Sequence, residues 1–329
     1  MVCFSKWWNE IDGEYLRGMH EILLYYTYTA IADPEELCRA QRVLCERLGL
    51  KGRIIIAPEG INGTVEGLVE STAQYIAETT SEPRFADMSF KRSIGTGSAF
   101  AKLFVRARSE IVSAHLGAAD VNPAQITGKY LQPEQLREWI RSGKEFYIVD
   151  MRNDYEHAVG FFKNSILPSL KHFRDLPSIL PRLAHLKNKT VVTVCTGGVR
   201  CEKASGFLLT QGFADVYQLH NGIVSYMEKY PAEDFLGKLY VFDGRVTMGF
   251  GRPEQNQVVV GRCAQCAEPN EQFVNCAEPS CHAHFICCAA CVSAKGEAFC
   301  SWRCQLIHKA RSMVEWLRLA ARHAKVAVK

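Results

Sequence analysis

No uninterrupted apolar run among the 329 residues approaches the ~18 that a membrane-spanning helix requires, so neither a membrane span nor a membrane partner is expected. The opening MVCFSKWWNEIDGEYLRG has acidic residues among its first fourteen and no long apolar core. It does not read as an export signal, and a cytoplasmic protein is expected. No glycine fingerprint of a flavin or nicotinamide site occurs, and no clear set of two histidines and a carboxylate marks a non-haem iron site. Without export, a dense disulfide framework is unexpected despite 14 cysteines, which turns attention to metal binding or thiol chemistry.

What is present is globular: 47% apolar and 22% charged residues, with a length that suits two or three domains. The net charge of +4 hides an asymmetry. From Ser301 to Lys329 there are seven basic residues and one acid, a local charge of +6 that leaves residues 1–300 at −2. Arg303, Lys309, Arg311, Arg318 and Arg322 lie in this stretch, which reads either as an RNA contact or as a solvated terminal helix. The cysteines are also lopsided, with nine of the fourteen between Cys263 and Cys304.

The first part alternates strands and helices. EILLYYTYTA (21–30) is a strand candidate, and Asp33 with Pro34 caps a helix running to about Leu48. Strands follow at 50–57, from Gly63 to Val65 after a turn-rich PEGING link, near 88–93, and over 101–113, with a helix from Gly67 to about Thr79. The order β-α-β-β-α-β predicts a ferredoxin-like α+β sandwich, antiparallel with one face covered, over 1–115. Residues 116–132 read as a linker. Over 133–235, strand candidates FYIVD, TVVTVC and ADVYQL separated by helices predict a parallel α/β domain. Residues 236–329 hold two strand candidates (238–242 and 246–250), the cysteine-rich module and a helix from about Gln305 to Ala324, in which Met313, Trp316, Leu317 and Ala320 fall on one face.

The sharpest local signal is VVTVCTGGVRCEK. A buried strand ends at Cys195, and the loop Thr196, Gly197, Gly198, Val199, Arg200 runs straight into a helix. Backbone N–H groups and the helix N-terminus then favour thiolate over thiol, and Arg200 adds positive charge. Cys195 and Arg200 are the catalytic candidates, Cys195 as the nucleophile. Cys201 either resolves a disulfide or persulfide or packs in the first turn of the helix. In VDMRNDYEHAVGFF, Asp150, Arg152 and Glu156 are expected to support the pocket from a strand end. The following FFKNSILPSLKHFR carries Lys163, Lys171 and Arg174, candidate RNA contacts or solvated loop charge.

In the cysteine module, four short-spaced pairs (Cys263/Cys266, Cys276/Cys281, Cys288/Cys291 and Cys300/Cys304) predict two interleaved tetrahedral sites, the first pair with the third and the second with the fourth. Cys287, His282 and His284 are substitutes. Zinc in a structural role is expected, with disulfides or an iron–sulfur cluster as the alternatives.

DMRNDYEHAVGFFKNS followed by CTGGVRCEK resembles the rhodanese domain, and together with IIIAPEGINGTV (54–65) and the cysteine-rich tail it resembles the bacterial tRNA uridine(34) hydroxylase family over nearly the whole chain. The resemblance implies a rhodanese-like central domain and oxygen-dependent 5-hydroxylation of uridine at the tRNA wobble position. It also implies molecular oxygen as a substrate, the tRNA anticodon region as partner, and the active cysteine at Cys195. One departure is LHNGI, where relatives commonly carry two consecutive glycines; Asn221 tolerates the left-handed backbone such a position needs. A persulfide-forming sulfurtransferase and a non-catalytic RNA- or partner-binding adaptor are the alternatives.

Overall fold

The computed structural model describes residues 18–251 and 258–326. They form two compact units that divide between residues 257 and 258.

The first unit begins with the sheet that the N-terminal pattern predicts. Strands β1 (His20–Tyr28), β2 (Lys51–Ala57), β3 (Gly60–Leu68), β4 (Phe90–Ile94) and β5 (Leu103–Ala107) lie in the order β4-β1-β3-β2-β5. Helix α1 (Pro34–Arg47) starts where expected, with the Asp33 carboxylate accepting from the Glu36 N–H at 2.9 Å. Helix α2 spans Val69–Thr80. The first four strands give the ferredoxin-like antiparallel arrangement. The fifth corrects the expectation of a purely antiparallel sheet: β5 runs parallel to β2 at the edge and drops Val105 into the same core. That strand stops at Ala107 rather than Ser113, because the Glu59 and Glu110 carboxylates take up the N–H groups of Ile111 and Ala114. Strand β3 starts three residues before the expected Gly63. Gly60 permits this with φ 150°, where a Cβ would stand 2.1 Å from the Thr27 carbonyl oxygen.

Period-two alternation sorts the residues of this sheet. Leu23 and Tyr25 of β1, Ile54 and Ile56 of β2, and Ile61 and Val65 of β3 point toward Leu37, Cys38 and Cys45 of α1 and Tyr75 of α2. Leu24, Tyr26, Arg53, Ile55, Asn62, Thr64, Lys91 and Ser93 are left for the opposite face.

Residues 116–132 bury Leu116 and Val121 and end in β6 (Lys129–Leu131). Helix α3 (Pro133–Ser142), β7 (Tyr147–Asp150), the short α4 (Asp154–His157), β8 (Gly160–Phe162), α5 (Leu176–Leu183), β9 (Thr190–Val194), α6 (Val199–Thr210), β10 (Asp215–Leu219) and α7 (Gly222–Lys229) follow. The central sheet, β6-β10-β9-β7, is parallel throughout. Both faces are covered, as buried parallel sheets require. Val149 and Val191 pack with Leu176 of α5 and Phe207 of α6, whereas Ile148 and Val192 pack with Leu136 of α3 and Ile223 of α7. Strand β11 (Phe235–Gly237) pairs with β8, and β12 (Leu239–Tyr240) with β13 (Thr247–Met248). The last two are shorter than expected because a tight turn at Asp243–Val246 closes the hairpin.

The second unit contains the hairpin β14 (Phe273–Asn275) and β15 (His284–Ile286), helix α8 (Ala289–Lys295) and helix α9 (Trp302–Val326), longer at both ends than expected. Met313, Trp316 and Leu317 of α9 are exposed. Among the described residues no helix is long and apolar enough to cross a membrane.

Candidate active site

Strand β9 delivers Cys195 to the C-terminal edge of the parallel sheet, where ligand sites of open α/β folds form. The next residues wrap around its sulfur. The Gly198 N–H donates to Cys195 Sγ at 3.2 Å. From behind, the N–H groups of Ile223 and Val224 at the start of α7 donate to the carbonyls of Cys195 and Thr196 at 2.9 and 3.1 Å. Asn221 takes the left-handed conformation anticipated for it, with φ 61°. Gly222 has no room for a side chain: a Cβ would stand 2.6 Å from the Thr196 carbonyl oxygen.

Burial alone would push the Cys195 thiol up. A hydrogen bond from the Cys201 thiol, the Arg200 charge and the N–H groups of Cys201 and Gly198 overcome it and bring Cys195 down to about 6. Burial and the facing Cys195 push Cys201 well above the ordinary thiol range, so it stays a proton-bearing donor to the thiolate. Cys195 therefore lies flush with the floor of its site as a thiolate at neutral pH.

The supporting residues divide into two buried pairs. Asp150 receives Arg152 at 2.6 to 3.0 Å, and Arg152 also donates to the Gly160 carbonyl, tying β7 to β8. Burial works against the Asp150 carboxylate, but the Arg152 charge and the His157 hydrogen bond hold it well below the usual carboxylate range. Glu156 instead takes Arg200, through two bonds of 2.5 and 2.8 Å, with Thr196 Oγ1 3.3 Å from both residues. Arg200 therefore adds its positive charge beside the sulfur as an ion-paired group. Its guanidinium is forked onto a carboxylate, and it fixes the loop while lending the sulfur a partly neutralised charge.

A cavity of about 450 Å³ opens above Cys195, within the range of small-molecule sites. One wall is the open face of the N-terminal sheet. Leu24 and Tyr26 press directly on the loop: a Cβ on Gly197 would meet Leu24 at 2.9 Å, and one on Gly198, at φ 105°, would meet the Tyr26 hydroxyl at 2.6 Å. Tyr26 and Tyr28 donate to Glu202 and to the Val199 carbonyl at 3.0 and 3.1 Å. Lys203, fully buried, pairs with Glu59 and Asp120 at 2.7 and 2.9 Å. Two folds thus share one site, and Arg53, Lys91 and Tyr26 belong to it although the sequence reading assigned them no role. Their signal was the alternate face of the N-terminal strands, where aromatic and polar residues such as Tyr26, Arg53, Asn62, Thr64 and Lys91 are interleaved with the core residues.

Three sequence profiles match the chain: a UPF0176 acylphosphatase like domain over 20–111, a rhodanese-like domain over 132–229 and a "Rhodanase C-terminal" domain over 236–305. A protein of Cytophaga hutchinsonii named tRNA uridine(34) hydroxylase is 44% identical over 87% of this chain and 90% of its own length. Proteins of the same name from Bacillus licheniformis and Bacillus cytotoxicus are 44% and 42% identical over 83% and 91% of this chain and 84% and 92% of theirs. The chain belongs to the tRNA uridine(34) hydroxylase family.

In this family member the basic residues singled out from sequence fall in different places. Arg174 lines the cavity and Lys171 is exposed nearby in sequence. Lys163 is held by the Glu233 carbonyl at 2.7 Å, which ties it into the fold. Arg303, Lys309 and Arg318 are exposed on α9, while Arg311 pairs with the Glu278 carboxylate at 2.8 Å. Arg322 lies outside the residues whose side chains are described.

The cysteines gather as the spacing predicts. Cys263, Cys266, Cys288 and Cys291 form one quartet, and Cys276, Cys281, Cys300 and Cys304 the other, with the sulfurs of each within 4.8 Å of one another. Separations of 3.8 Å for Cys266–Cys288, 3.4 Å for Cys281–Cys300 and 3.5 Å for Cys300–Cys304 are far beyond a disulfide bond. They suit a tetrahedron whose sulfurs stand about 2.3 Å from a central ion, for which the edge is about 3.8 Å. Each quartet could hold a metal ion. Cys287 joins neither: it is buried with its thiol 4.0 Å from Cys263 Sγ. His284 bonds Asn275 instead, and His282 is likewise outside both quartets.

Proposed function

We propose that this protein hydroxylates uridine 34 of tRNA at C5, with molecular oxygen as co-substrate and Cys195 as nucleophile, in the cytoplasm. The observation that carries this is the thiolate on the floor of a cavity walled by a second domain that brings cations to it. Sγ adds to C6 of the uracil, which makes C5 electron-rich and open to oxidation. One oxygen atom of dioxygen enters at C5 and the other leaves as water, with two electrons and two protons drawn from an external thiol donor that is oxidised to its disulfide. The N–H groups of the loop hold the sulfur in place for this step. Exposed Arg53 and Arg174 lie where phosphates of the anticodon loop would enter, and the basic face of α9 offers a further tRNA contact. A sulfurtransferase would use the same thiolate, but it has no need of the tyrosine- and cation-bearing wall.

The two cysteine quartets fit zinc best, since a full set of four thiolates closes the coordination shell and leaves no open position for chemistry. Their role is to fold the second unit.

The direct test is purified protein incubated with unmodified U34 tRNA, isotopically labelled dioxygen and a dithiol as the two-electron donor. The wild type is expected to yield 5-hydroxyuridine carrying the label, and Cys195→Ala none. Product from the Cys195→Ala protein would contradict the reading. Because Cys195 lies at about 6, iodoacetamide alkylation should rise as pH passes through about 6 and level off above it. An inflection near the ordinary thiol value of about 8.5 would show that the loop does not stabilise the thiolate.

A further inference from the structure

A row of side chains crosses the open face of the N-terminal sheet directly under the Cys195 loop. Leu24 stands opposite Lys91 on one side and Thr64 on the other, and Thr64 stands opposite Arg53. Gly197 sits over Leu24 and Gly198 over Tyr26, so the loop is held above this row.

Lys91 is the unusual member. It is 7% exposed, yet among the described residues no carboxylate comes within ion-pair distance and no hydrogen bond engages its ammonium. The nitrogen lies 4.9 Å from the centre of the Tyr26 ring, and the residue is among those that line the cavity. A desolvated ammonium without a partner is costly unless something it recognises completes its shell. Burial lowers it to about 8, and Cys195 is the largest charge opposing that fall.

We propose that Lys91 contacts the substrate base, donating a hydrogen bond to uracil O4 while Cys195 Sγ adds to C6. This rests on the reading of Cys195 as the nucleophile toward uridine. In that addition the S–C6 bond forms, the C5–C6 π bond breaks, and its electron pair moves through C5 to O4 as an enolate. Water then protonates C5, and loss of the other C5 proton with expulsion of the thiolate restores uracil. No oxidant takes part. The charge develops on O4 inside a water-poor cavity, where one preorganised cation is worth most. The depth of Lys91 separates this role from phosphate binding, for which the exposed Arg53 and Arg174 are better placed.

The test is tritium release from tRNA carrying [5-³H]uridine, measured without oxygen so that only the reversible addition is read. The wild type is expected to release tritium and Cys195→Ala not. Lys91→Met should lower the rate by about 100-fold with tRNA affinity changed less than about threefold, and Lys91→Arg should recover part of it. Alkylation of Cys195 at neutral pH should fall by no more than about twofold in Lys91→Met, because Arg200, Cys201 and the loop N–H groups still hold the thiolate, which reports both a folded site and an intact nucleophile. Near wild-type release by Lys91→Met would overturn the assignment of Lys91 alone. Alkylation falling in step with release would also overturn it, by showing that Lys91 serves the thiolate rather than the base. No release by the wild type would overturn the addition at C6 and this role of Lys91 with it.

Discussion

Stripping metal from the purified protein is expected to unfold residues 258–326 while the first unit keeps its structure. Apart from cysteines, the buried apolar side chains described in the second unit are few: Ile286, Ala298 and Phe299. Its strands β14 and β15 have three residues each. So small a core cannot offset the chain entropy of some seventy residues. Structural zinc supplies roughly 10–16 kcal/mol per site, and two sites dominate any other term. The protein should bind two ions per chain, measured by elemental analysis. Cys266→Ser and Cys300→Ser should each lose one, and limited proteolysis should then cut within 258–326 first. A chelated protein that resists proteolysis there, or a stoichiometry of zero, would show that the quartets do not hold the fold.

Glu156→Gln is expected to cost both stability and activity, although Glu156 does not face the substrate. The carboxylate is fully buried and receives both arms of Arg200. Removing its charge leaves a buried guanidinium unpaired, a loss of about 3–5 kcal/mol. Arg200 is also the second residue of α6, directly after the loop, so the N–H groups around Cys195 lose their register with it. Thermal melting should fall, and hydroxylation should fall further than the folded fraction explains. The double change Glu156→Met with Arg200→Met removes both charges together and should recover much of the stability but not the activity. Equal recovery of both would show that the pair is structural alone.

How much of this was legible in sequence follows from how far apart the interacting residues lie. The Cys195 loop is a local object: strand, glycines and helix stand side by side, and its backbone geometry follows from them. The quartets were legible because short cysteine pairs leave few ways to close a tetrahedron, and the interleaved pairing is the one found. The partner of Arg200 was not, because Glu156 precedes it by 44 residues and nothing in either segment names the other. The N-terminal wall was further out of reach: Tyr26 meets Glu202 across 176 residues. Alternation within the strands told which side chains left the core, but not what the second face covers. Strand β5 was misjudged for a related reason, since its parallel place beside β2 depends on a crossover that local pattern does not encode.

The most direct measurement of the central claim is nucleoside mass spectrometry of tRNA from cells lacking this gene and any redundant pathway, with wild-type or Cys195→Ala copies restored. The account predicts that 5-hydroxyuridine-derived nucleosides vanish in the deletion and return with the wild type only. Their return with Cys195→Ala, or an unchanged profile in the deletion, would contradict it.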